Sequence, residues 1–140
     1  MGIGRVDVVV ANAGSSSGFK GVLETTGEEI LRDMEVNVVG VVGLLQGLWG
    51  LLEEGGKGKG EGKFVVIGSS VGSIGALGGE SLPGVGCKSI FCPLLVCFGG
   101  FGGGGADDID GMSKAAVNWF AKKVSVDLKG RVVVAVVHPG

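Results

Sequence analysis

Three short runs of mostly β-branched residues govern what this chain can become: "VDVVVANAG" (6–14), "KFVVIGSSVG" (63–72, after its opening Lys) and "RVVVAVVHPG" (131–140). Each is apolar at successive positions, too short for a helix, and closed by Gly together with Asn, Ser or Pro. A strand of a parallel sheet, buried on both faces, has this pattern and leaves the sheet through such a turn. Parallel neighbours cannot be joined by hairpins, so helical crossovers have to lie between them. "ETTGEEILRDMEV" supplies one helix start. Thr25 and Thr26 stand three residues before Glu28 and Glu29 in a capping-box pattern, which predicts a helix from about Gly27 towards Asn37. "VVGVVGLLQGLWGLLEE" (38–54) reads as a second, apolar helix. "MSKAAVNWFAKKVSVDLKG" sets Met112, Ala115, Ala116, Trp119, Phe120, Val124 and Leu128 at helical spacing before a stop at Lys129 and Gly130. Strands alternating with helices give an α/β fold whose strand-exit loops gather on one edge of the sheet, where ligands bind.

The length of 140 residues sets a ceiling of one domain, and the 31 glycines add unfolded-state entropy that a modest core must overcome. A net charge of -2 without a basic run offers no electrostatic footprint for nucleic acid or an anionic membrane surface. Cys87, Cys92 and Cys97 lie in an apolar stretch with no His beside them, so they read as buried or incidental thiols and no metal site is expected. The opening "MGIGRVDVVV" lacks the charge, apolar run and cleavage site of a signal peptide, which makes a cytoplasmic location the expectation. The apolar part of 38–54 falls short of the roughly 20 residues that a bilayer span needs. It is expected to be a buried helix whose Gly43 and Gly47 let another helix approach, with "EEGGKGKGEGK" (53–63) as a solvated surface turn after it.

The three strand ends place Asn12, Ala13 and Gly14, then Ser69 and Ser70, then His138, Pro139 and Gly140 on the ligand edge. Each alone is an ordinary strand-exit turn. Together with Asn37 between two helices and Lys114 at the head of the next, the set resembles the short-chain dehydrogenase/reductase family, and most of all its single-domain carbonyl reductases. The resemblance implies a Rossmann-like, doubly wound parallel sheet and an NAD(P)-dependent oxidoreductase that passes hydride between nicotinamide and a carbonyl or alcohol. "ANAG" is similar to the family's NNAG turn against the cofactor, with Ala11 departing from its first Asn. Ser70 in "IGSSVG" is similar to the Ser that binds the substrate oxygen, and Asn37 to the helix-kinking Asn of the proton relay. Lys114 resembles the Lys that binds the nicotinamide ribose and tunes a Tyr acid, while Pro139 and Gly140 resemble the turn beside the nicotinamide. NADP stands ahead of NAD by this resemblance alone. His138 is given no catalytic part.

The chain also departs from the family pattern. The family's Tyr would stand four residues before Lys114, where this chain has Asp110, and the sequence contains no Tyr. The interval from Ser70 to Asp110 is also far longer than the family's, and the excess lies in about 84–110, a glycine-rich stretch expected to be a lineage-specific insertion or translated intron. The Gly-rich cofactor turn of the family's N-terminal half is missing from "MGIGRVD", so a partial domain over 1–140, itself inactive, is expected. The alternatives are a non-catalytic module that forms a homo-oligomer through helices 38–52 and 112–128, or a defective gene model. Neither the substrate, the direction of reaction nor the cofactor preference is readable from these residues.

Overall fold

The computed structural model describes residues 2–18, 20–57, 60–74, 95–97 and 110–138. Four parallel strands form one sheet: β1 (Val8–Ala11), β2 (Gly62–Ile67), β3 (Leu95–Cys97) and β4 (Val132–His138), in the spatial order β1-β2-β4-β3. Val9 pairs with Phe64, Phe64 with Val134, and Leu95 with Val136. The three expected strands are present, and β1 begins two residues after Val6 and ends at Ala11, one residue beyond the valine run. Leu95–Cys97 adds a fourth strand from within the 84–110 segment; Cys87 and Cys92 lie outside the described residues.

Between β1 and β2 the chain runs as α1 (Gly27–Met34), a π turn (Glu35–Val39) and α2 (Gly40–Gly56) without a break. Thr26 and Glu29 make the expected capping box: the Glu29 carboxylate accepts from Thr26 N–H at 3.0 Å, and Thr26 Oγ1 accepts from Glu29 N–H at 3.3 Å. The wider π turn absorbs the join expected at Asn37, so the two predicted helices are one bent rod. After β2 a 3-10 turn (Ser70–Gly72) leads on, and α3 (Asp110–Asp127) precedes β4. Gly130, at φ +80°, closes that connection in a backbone region that side chains disfavour.

Both helical layers cover one face of the sheet. Val9, Ala11, Phe64, Val66, Val132, Val134 and Val136 point into a single core with Val41, Leu45 and Leu52 of α2 and Val117, Ala121 and Val124 of α3. On the opposite face Val8 and Val10 are 47% and 51% exposed, and no helix covers them among the described residues.

Three expectations about the helices are corrected. The apolar helix is less enclosed than predicted: Val39 is 62% exposed, and a Cβ added at Gly43 or Gly47 would meet no atom, so no helix approaches that stripe among the described residues. In α3 the buried stripe is Ser113, Val117, Ala121 and Val124, while Met112 and Trp119 of the predicted stripe are 53% and 68% exposed. Apolar residues cover most of the circumference of this helix, so spacing alone could not choose its inner face. The surface turn at 53–63 is also partly interior. Gly55 and Gly62 are buried, and a Cβ at Gly55 would lie 2.0 Å from Val6 O and one at Gly62 2.5 Å from Leu52 O.

Candidate active site

The exit of β1 is held by one helix. Asn37, 2% exposed in the π turn, uses its whole carboxamide: Oδ1 accepts from Ser15 N–H at 2.8 Å, and Nδ2 donates to Ser15 O and to Ser113 Oγ, each at 2.8 Å. One turn earlier Asp33, also 2% exposed, accepts from Ser15 Oγ at 3.1 Å and from Ser17 N–H at 3.0 Å. Ser17 Oγ in turn donates to Glu29 O at 3.3 Å and accepts from Arg32 Nη2 at 3.1 Å. Lys20 donates to Glu29 at 2.5 Å, and this bond, with those from Thr26, holds the Glu29 carboxyl down to about 2. A buried amide and a buried carboxylate are tolerable because each is paired with loop groups that would otherwise be desolvated and unmet.

These bonds seat Gly14 against two side chains. A Cβ at Gly14 would lie 3.3 Å from Asn37 Oδ1 and 3.4 Å from Lys114 Nζ, so the backbone of the turn, the Asn37 carboxamide and the ammonium share one small space. Lys114 is delivered there by the packing of α3 on the 3-10 turn. A Cβ at Gly72 would sit 2.6 Å from the Lys114 backbone, and one at Gly111 2.7 Å from Val71 O, so only glycine permits the approach at either position. The turn that begins at Ser70 is thereby fixed beside the first turn of α3.

Of the residues expected at the site, Gly14, Asn37 and Lys114 are brought together. Asn12 and Ala13 are exposed at the exit of β1. Ser70 opens the 3-10 turn and Asp110 opens α3, one helical turn before Lys114; the side chains of both lie outside the described residues, as do Pro139 and Gly140 altogether. His138 ends β4, and its buried Nδ1 has no hydrogen-bond partner among the described residues. Ser15, Asp33 and Ser113 were not anticipated. Ser113 stands beside Lys114, and Asp33 stands four residues before Asn37, a spacing that puts both on one helix face and could have paired them. No group of three metal-ligating side chains occurs among the described residues.

A sequence model of the short chain dehydrogenase family matches residues 1–81. The chain belongs to this family. Among curated relatives, short-chain dehydrogenase srdF of Neurospora crassa is 25% identical over 139 residues, covering 99% of this chain and 44% of its own length. An uncharacterized oxidoreductase of Schizosaccharomyces pombe is 31% identical, with the same two coverages. Among solved structures, the Sniffer protein of Caenorhabditis elegans superposes with a TM-score of 0.72 at 26% identity, over 99% of this chain and 53% of that one. RhlG of Pseudomonas aeruginosa, solved as an active-site complex with NADP, gives 0.68 at 23% identity over 97% and 43%. This short-chain dehydrogenase chain therefore spans less than half the length of those curated relatives, and its sheet is a partial Rossmann-like fold.

Proposed function

We propose that the chain is the central and C-terminal part of an NAD(P)-dependent short-chain oxidoreductase that interconverts a small carbonyl compound and its alcohol, and that with this sequence it does not turn over. The observation that carries the reading is the meeting of the Lys114 ammonium with Gly14 and Asn37 at the C-terminal edge of a parallel sheet. These residues fit the nicotinamide end of a dinucleotide: the glycine leaves its backbone open to close approach, and the ammonium can hold ribose hydroxyls. The bound nicotinamide would supply or accept the hydride. Ser70 would orient the substrate oxygen, Lys114 would hold the ribose, and Asn37 would keep the turn and α3 in register. NADP is preferred to NAD, a choice that draws on the family resemblance and on the NADP complex of RhlG. A cytoplasmic site of action and an insertion at about 84–110 belong to the same proposal.

The inactivity rests on proton chemistry. A phenol with an ordinary pKa of about 10 can be tuned by a nearby ammonium and still hold a proton near neutrality, whereas a carboxyl of about 3.9 is already ionised. Asp110 in the Tyr position thus leaves no acid to protonate the developing alkoxide, a loss of about 10²–10⁴-fold for the proton-transfer step alone. The test is NADPH oxidation by the purified chain with a panel of small ketones. No turnover is expected; oxidation that Lys114→Ala abolishes would overturn the inactive assignment. The transcript across 84–114 and upstream of Met1 tests the insertion, since a spliced message with Tyr restored before "GMSK" and the Gly-rich cofactor half added would make this an ordinary reductase.

A second reading is favoured by one observation. Val39 on the α1–α2 rod and Trp119 on α3 are 62% and 68% exposed, and Gly43, Gly47 and Gly50 on the rod have open space over them. A non-catalytic module pairing through helices 38–52 and 112–128 would cover them, and sedimentation as a monomer at high protein concentration would rule it out.

A further inference from the structure

We propose that Asp33 is a positioning residue for the nicotinamide-facing turn of β1, acting with Asn37 as a two-point clamp on Ser15 and Ser17; the proposal rests on the oxidoreductase reading of the site. A carboxylate that is 2% exposed is costly wherever it has no counter-charge, and among the described residues no cationic group lies within ion-pair distance of Asp33. Packing α1 against its surroundings would be served as well or better by an apolar side chain. What the carboxylate does instead is receive the Ser15 hydroxyl and the Ser17 amide.

The division of labour with Asn37 is complete at Ser15. Asn37 takes its N–H and its C=O, and Asp33 takes its Oγ–H, so every polar group of the residue after Gly14 is bound from one helix face. Of the two clamp residues Asp33 reaches on to the Ser17 amide, and with Glu29 O and Arg32 on the Ser17 hydroxyl it keeps the loop from pivoting about Ser15. Because Gly14 is the residue that lies against Lys114 Nζ, the clamp sets the distance between the backbone floor of the site and the ammonium. Misplacement by about 1 Å in such an arrangement is enough to cost affinity or rate severely. Asp33 touches none of these site atoms itself and acts through the two serines.

The experiment uses the purified chain and the variants Asp33→Asn, Asp33→Val and Ser15→Ala. Two quantities are read: amide hydrogen exchange, and the shift of the Gly14 amide resonance during titration with reduced nicotinamide mononucleotide, which probes only the nicotinamide end. Asp33→Asn keeps the volume and can keep both bonds, its Oδ1 accepting from Ser17 N–H and its Nδ2 donating to Ser15 Oγ, so exchange at Ser17 should stay close to that of the wild type. Asp33→Val removes both acceptors, releasing the Ser15 hydroxyl and the Ser17 amide, and should accelerate exchange at Ser17 roughly tenfold, about the loss of one hydrogen bond, with Phe64 and Val134 in the core unchanged. Ser15→Ala leaves Asp33 in place and should displace the Gly14 and Lys114 resonances in the same direction as Asp33→Val. The Val and Ala variants should weaken mononucleotide binding, while Asp33→Asn should retain it. Faster exchange with unchanged mononucleotide affinity, or equal acceleration at loop and core, would overturn the positioning role. A wild-type chain whose Gly14 resonance does not respond to the mononucleotide would overturn the oxidoreductase reading and the cofactor role with it, while the exchange data still report whether the clamp exists.

Discussion

At the scale of single residues, the polar side chains of this chain work mostly on its own backbone. Thr26 is the simplest example, since its hydroxyl accepts the Glu29 N–H at the start of α1 and its own N–H donates to the Glu29 carboxylate. Replacing Thr26 by Ala should cost about 1 kcal/mol of unfolding free energy in denaturant titration. Glu29 adds a pH dependence whose sign is set by its depressed pKa. The carboxyl is held at about 2, below its ordinary value of 4.5, chiefly by the bond from Lys20. The stabilisation is therefore fully present above pH 4.5 and is lost as the pH falls from there towards 2. Thermal unfolding at pH 6 and at pH 2.5 should show a smaller acid loss for Glu29→Gln than for the wild type. The capping box was legible in "TTGEE" because it is local. Asn37 and Lys114 were legible by resemblance, whereas Asp33 and Ser15 were not, because their pairing depends on a loop folding back onto a helix 18 residues away in sequence.

At the scale of elements, glycine has two opposite meanings in this chain. Gly43 faces open space on the rod, so Gly43→Ala should stabilise by roughly 0.5–1 kcal/mol through helix propensity and lost unfolded-state entropy. Gly55 lies against Val6 O, so Gly55→Ala should destabilise by about 1–3 kcal/mol or more through overpacking of backbone on backbone. Equal effects in chemical denaturation would contradict the packing of α2 on the lead-in to β1. Sequence cannot separate the two positions, since both sit in glycine-rich apolar context. The same limit explains α3. Its existence was legible from Met112 to Leu128, but with apolar residues over most of its circumference the choice of Val117, Ala121 and Val124 as the inner stripe came from what β4, the π turn and the 3-10 turn offer.

At the scale of the whole molecule, one face of the sheet is a shared core, while on the other Val8 and Val10 are half-exposed on an edge strand among the described residues. Such an edge invites association. Val8→Lys with Val10→Lys should raise the concentration at which the chain remains monomeric by light scattering, with little change in melting temperature, whereas Phe64→Ala should cost about 3–5 kcal/mol and abolish cooperative unfolding. By itself the sequence determined the parallel α/β class and the capped helix, because strand runs and caps are written in neighbouring residues; the family, and with it the expectation at Gly14, Asn37 and Lys114, came through resemblance of motifs spread along the chain. Tertiary structure alone decided that both helical layers share one face, that the apolar rod stays half open, that Leu95–Cys97 joins the sheet, and that Asp33 grips the turn beside Lys114. Each of these is a contact between segments distant in the chain, and such contacts are chosen by which surfaces fit once the sheet has formed, a competition that no local pattern encodes.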